Sequence, residues 1–318
     1  MPNRWRRRAT LPNAILAWAA LAGAALLAVG CTSSSAADQP GADGKIIAVG
    51  AENEYADVVA QVGGKYVQAS AIMSNPNTDP HTFEASASTG RLVNAARLVV
   101  QNGLGYDTFM DTIEKAVPDS GRRTIVVQKL LGLPDSTPNP HLWYDPATMP
   151  KVADAIADNL AAIQPSHAAY FKANAKTFAN SLAPWINAIG TFKQHYPGTP
   201  VATTEPIADY LLQALGADNK TPWAFQADVM NGTDPSAQDV AIERSLFTEH
   251  KVKAFVYNQQ VTDSLTESFI SLARANHIPV VGVYETMPEP GYHYQSWMLA
   301  EVRALQKAVT SGVSSEHL

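Results

Sequence analysis

Residues 166–195, SHAAYFKANAKTFANSLAPWINAIGTFKQH, set the organisation of this chain. Phe171, Ala175, Phe178, Leu182, Trp185, Ile189 and Phe192 recur at alternating steps of four and three, which lines one face of an α-helix with apolar side chains. At ~1.5 Å per residue the stretch spans about 40 Å, enough to act as a linking helix between two lobes. Pro184 lies inside it, and an interior proline costs roughly 3 kcal/mol and kinks or breaks a helix. The stripe is therefore one kinked rod or two consecutive helices.

On both sides of this stretch, short apolar runs alternate with amphipathic ones, the pattern of α/β structure. Before it, strands are expected at 46–49, 66–73, 98–101 and 124–127. Helices are expected at 55–62, from a Ser86 cap to about 96, through 116 and at 148–163. After it, strands are expected at 201–204, 254–257 and 280–284, with helices at 207–215, 235–250, 265–276 and 294–309. The fold class is α/β: two lobes, residues 45–165 and 198–318, each a mostly parallel sheet flanked by helices, joined by the linking helix at 166–197.

The 318 residues are 46% hydrophobic and 16% charged, a globular composition. Arg4, Arg6, Arg7 and Arg8 precede an apolar run at 14–29 that ends Leu27-Ala-Val-Gly-Cys31. This is the layout of a secretory signal, residues 1–31, and the small residues before the lone cysteine look like a lipobox that would place a lipid on Cys31. An uncleaved membrane anchor is the alternative. Residues 32–44 read as a flexible tether, and a single cysteine leaves no internal disulfide. Without the signal, Lys+Arg falls from 23 to 19 against 29 acids, for a formal charge of −10. Nucleic acid, which needs a basic face, is not an expected partner.

Two histidines sit in proline-stiffened loops. Pro76 and Pro80 restrict the segment Ser74-Asn-Pro-Asn-Thr-Asp-Pro-His-Thr-Phe-Glu84 that carries His81, and Asn139-Pro-His141 repeats the arrangement. Stiff loops suit metal-ligating imidazoles, but they equally hold ordinary polar histidines, and spacing does not choose. Both loops follow the carboxyl end of an expected strand, where open α/β sheets place ligands. In the second half Glu205 and Glu285 occupy the strand ends. Two imidazoles and two carboxylates make a sensible site for a divalent transition metal, although each glutamate taken alone reads as a solvated surface charge. Glu84 is either an orienter of His81 or an acid at a helix N-terminus. His167, His195, His250 and His277 fall at helix ends, and His293 is retained as a remote substitute ligand.

Asp79-Pro-His-Thr-Phe-Glu84, Asn102-Gly-Leu-Gly105, Pro140-His-Leu-Trp-Tyr-Asp145 and the strand ending at Glu205, in this order behind a lipobox, resemble the metal-binding lipoproteins of zinc and manganese ABC transporters. The resemblance covers residues 45–310. It implies a monomeric receptor, not an enzyme, held by lipid on the outer face of the cytoplasmic membrane and passing one metal ion to an ABC permease. It puts His81, His141, Glu205 and Glu285 on the family's four ligand positions. The acid at 205 and the lack of a histidine-rich loop at 128–140 tilt the cargo toward manganese, while a given N/O site generally prefers zinc. A secreted metallohydrolase and a surface adhesin are the competing functions. The chain has no H-E-x-x-H or G-x-S-x-G motif, and four protein ligands would leave little room for a reacting water.

Overall fold

The apolar runs form two four-stranded sheets in which every strand pairing is parallel. The computed structural model describes residues 44–75, 83, 86–119, 121–261, 263–288 and 291–318. In the first half, β1 (Ile46–Glu52) runs into α1 (Asn53–Gly63) and β2 (Val67–Met73). There follow α2 (Ala87–Ala95), β3 (Leu98–Gln101), α3 (Thr108–Ala116), β4 (Arg123–Val126), the one-turn α4 (Val127–Leu130) and α5 (Thr148–Ile163). Ser86 caps α2 as expected, its hydroxyl accepting from Thr89 N. Parallel neighbours cannot be joined by a tight turn, so a crossover separates each pair. β3 is buried along its whole length, as a strand covered on both faces should be.

The linking stretch is two helices, α6 (Ala168–Ser181) and α7 (Ala183–His195), meeting at Leu182. Pro184 sits in the first turn of α7, where its missing N–H costs no helical bond. The apolar stripe survives the break, and Phe171, Phe178, Leu182, Trp185 and Phe192 are all buried. α6 packs on α1 and α5 of the first half, whereas α7 packs on α8 (Asp209–Leu215) and α12 (Tyr294–Ser311) of the second.

The second half contains β5 (Pro200–Thr203), β6 (Asp218–Asn219), β7 (Ala254–Asn258) and β8 (Val280–Val283), with α9 (Trp223–Met230), α10 (Ala237–Thr248) and α11 (Ser264–Ala275) between them. The two-residue β6 and α9 lack the periodicity that would have marked them in the sequence. The strand orders are β2-β1-β3-β4 and β6-β5-β7-β8. In each sheet the chain steps to one side of its first strand and then crosses to the other. The switch points, where such sheets bind ligands, are therefore β1/β3 and β5/β7.

One hydrophobic core runs through both halves, from Ile46 to Ala308, and includes Trp143, Trp185 and Trp297. Among the described residues no helix is long and apolar enough to cross a membrane.

Candidate metal centre

His141 is completely buried. Its Nδ1 lies 2.8 Å from Asn139 Oδ1, which also accepts from His141 N at 3.0 Å, while Asn139 Nδ2 donates to Pro206 O at 2.7 Å. The carbonyl of Pro206 can only accept, so the amide orientation of Asn139 is fixed and its Oδ1 is the acceptor for His141. The imidazole hydrogen therefore resides on Nδ1 and the lone pair on Nε2. Trp143 and Tyr106 wall the ring, with centroids at 5.4 Å and 5.8 Å.

Across the boundary between the halves, Glu285 Oε2 lies 3.7 Å from His141 Nε2. Glu285 is fully buried and accepts from Tyr106 OH at 2.9 Å and from Asn258 Nδ2 at 2.6 Å. Asn258 Nδ2 also reaches Glu205 Oε1 at 3.2 Å, so one amide spans both glutamates. Glu205 is itself almost wholly buried, two residues beyond the end of β5, as Glu285 is two residues beyond β8. Gln260 Oε1 fixes the Glu285 turn by accepting from the backbone N–H of Glu285 and Thr286.

The loop beneath His141 explains the Asn102-Gly-Leu-Gly105 motif. Gly103, Leu104 and Gly105 take consecutive φ values of 86°, 56° and 77°, a left-handed run that disfavours a side chain. A Cβ on Gly103 would meet Gln128 Oε1 at 2.8 Å. The turn lets Asn102 donate to Pro140 O at 2.8 Å and accept from Tyr55 OH at 2.6 Å, and it sends Tyr106 to Glu285.

A second set of acids lies below. Glu52 ends β1 and Glu54 opens α1, both with 0% exposure. Burial first, then neighbouring carboxylates including Asp107 and Glu285, pushes each well above the ordinary range and favours the neutral form. Burial likewise raises Asp107 to about 6, opposed by hydrogen bonds from Asn102 N and Gly103 N.

His81, Glu84 and Cys31 lie outside the described residues. Among the described residues, no group of three or more His, Cys, Asp or Glu side chains is arranged to hold an ion as it stands. His141 and Glu285 meet directly, whereas Glu205 joins them through Asn258. His293, expected as a remote substitute ligand, is engaged elsewhere. Its Nδ1 pairs with Asp57 Oδ1 at 2.7 Å, it is solvent-exposed, and it caps α12 in reciprocal bonds with Ser296. Asn139, Tyr106, Asn258 and Glu52 went unnoticed in the sequence. The strand-end rule that selected Glu205 and Glu285, applied to the expected strand at 254–257, would have found Asn258, whereas Glu52 lies three residues beyond the expected strand at 46–49 because β1 runs longer.

Two parallel-sheet lobes whose strand-end loops supply buried imidazole, carboxylate and amide groups define an α/β protein of the two-lobed binding type. The chain belongs to the family described as zinc-uptake complex component A, periplasmic, whose sequence model matches residues 49–308. It is 23% identical over 273 residues to the manganese-binding lipoprotein MntA of Bacillus subtilis, covering 83% of this chain and 87% of the relative. It is 22% identical over 261 residues to the zinc-binding protein TroA of Treponema pallidum, covering 80% and 83%. The solved structure of the periplasmic zinc-binding protein TroA from Treponema pallidum shares the fold, with a TM-score of 0.71 at 18% identity over 85% of this chain and all of that one. The Mn-bound periplasmic metal-binding protein from Candidatus Liberibacter asiaticus scores 0.69 at 17% identity, covering 83% and 100%.

Proposed function

We propose that this protein is an extracytoplasmic solute-binding lipoprotein that captures one divalent manganese or zinc ion and delivers it to an ABC permease. The ligands are His81, His141, Glu205 and Glu285. Lipid on Cys31 holds the monomer at the outer face of the cytoplasmic membrane. The observation that carries this reading is the buried approach of His141 Nε2 to Glu285 Oε2 at 3.7 Å. Bonds of ~2.0–2.2 Å at a tetrahedral angle place two donor atoms roughly 3.3–3.6 Å apart, so one cation fits between these atoms with little movement. The tautomer enforced by Asn139 turns the lone pair the same way. Two carboxylates offset the charge of a divalent ion, and the neutral forms favoured for Glu52 and Glu54 limit the negative charge beneath it.

Family membership supports carriage over catalysis, as does a donor set that leaves little space for a reacting water. Thermal melting with and without Mn²⁺ or Zn²⁺ tests the proposal. Metal at 100 times Kd should stabilise the protein by about 2.7 kcal/mol. His81→Ala and His141→Ala should each lose most of that gain. Equal metal-induced shifts in both variants and the parent would refute the assignment, and turnover of ester or peptide substrates with added metal would replace carriage by hydrolysis.

A further inference from the structure

The two sheets share a strand order, yet their matching outer edges are finished differently. Along β8 the chain's own C-terminal segment is added in parallel. Ser315 bridges Val281, Ser315 N donates to Val280 O at 2.9 Å, and Gly282 N donates to Ser315 O at 2.9 Å. Val280 N adds a bond to Ser314 Oγ at 3.0 Å. β4 holds the corresponding place in the first sheet, and among the described residues no segment pairs with its outer side.

The register determines what that edge offers. Arg123 N donates to Arg97 O, so Arg123 and Ile125 direct their backbone groups toward β3. Alternation then turns the N–H groups of Thr124 and Val126, and the carbonyl of Thr124, outward. They open onto a groove of about 850 Å³. Leu130, 39% exposed, supplies an apolar wall. Among the described residues, Asp111, Glu114 and Asp135 put acid on the groove wall and Lys129 is the one basic residue in the lining, while Asp107 is buried against backbone amides. From outside the lining Arg122 meets Glu114 at 3.5 Å and Arg123 donates to Asn159 at 3.3 Å. An exposed edge with this chemistry is a template for strand addition.

We infer that the β4 edge binds an extended, basic peptide segment of a partner protein, which joins the first sheet as a parallel outer strand, as the C-terminal segment joins the second. Residues 32–44 of this chain contain Asp38 and Asp43 and no Lys or Arg, so they are the wrong charge for the groove. Pairing with a second copy would set acid against acid. The inference does not depend on metal binding.

The test titrates the protein with a capped hexapeptide alternating lysine and valine, followed by fluorescence anisotropy and amide hydrogen exchange. Saturable binding is expected, with exchange at Thr124 and Val126 slowed at least ~10-fold and exchange at Gly282 unchanged. Combining Asp111→Lys with Glu114→Lys should weaken binding at least ~10-fold while leaving metal-induced melting shifts intact. Methylating alternate peptide nitrogens should abolish binding, and a glutamate–valine hexapeptide should not bind. The inference fails if protection falls elsewhere, if the methylated peptide binds equally well, if charge reversal has no effect, or if the edge instead mediates self-association.

Discussion

At the scale of single residues, the chemistry turns on which nitrogen of His141 carries the hydrogen. Asn139 decides it, because its amide is held by Pro206 O and can present only oxygen to the ring. Removing that support leaves the imidazole in place but frees its tautomer and tilt, and such partners are typically worth 10–100-fold in metal affinity. Asn139→Ala should therefore weaken metal binding about 10–100-fold in competition with a chelating dye, and unchanged affinity would deny Asn139 this role. The stiff loop around His141 was legible in the sequence from Pro140, but only the family resemblance put the histidine among the expected ligands. Asn139 was not legible, because its role depends on Pro206, 67 positions away, which only the fold brings near. His250 and His277 fall at helix ends as expected, and what the sequence did not reveal is their conformation: left-handed φ values of 52° and 57° that close α10 and α11, a job more often given to glycine.

Among the elements, strand ends and helix breaks place the groups that matter. Strand–helix alternation was readable because buried parallel strands are continuous apolar runs. Whether Pro184 kinked or divided the linking stretch was not readable, since that depends on α6 packing on one half and α7 on the other. α12 carries the other notable group. Tyr144 OH lies 2.8 Å from both Tyr284 O and Glu301 Oε1, and a hydroxyl has one hydrogen to give. If it serves the carbonyl, Glu301 must supply its own, which agrees with burial raising Glu301 to about 8. Because that value lies above the ordinary 4.5, the folded state keeps a proton the unfolded chain has lost between these limits. This group's contribution is complete below about 4.5 and drains as pH climbs toward 8, by at most ~1.4 kcal/mol per pH unit. Glu301→Gln, neutral throughout, should gain stability relative to the parent as pH rises from 5 to 8 in urea unfolding. Parallel stability curves would contradict a buried neutral Glu301.

For the molecule as a whole, the halves share one core, and buried bonds such as those between Asn53 and Met287 stitch them together. A ligand-driven change must therefore be small, because opening the halves widely would break the Tyr144–Trp297 ring contact and the Tyr294 OH bond to Trp143 O and expose both tryptophans. The central claim is that groups from both halves converge on one cation at this boundary. Anomalous diffraction at the manganese or zinc edge, from crystals of the metal-loaded protein, tests it most directly. The account predicts a single strong peak within ~2.0–2.2 Å of an imidazole nitrogen of His81, Nε2 of His141 and a carboxylate oxygen each of Glu205 and Glu285. A peak away from His141 and Glu285, or no ordered ion at saturating metal, would contradict it.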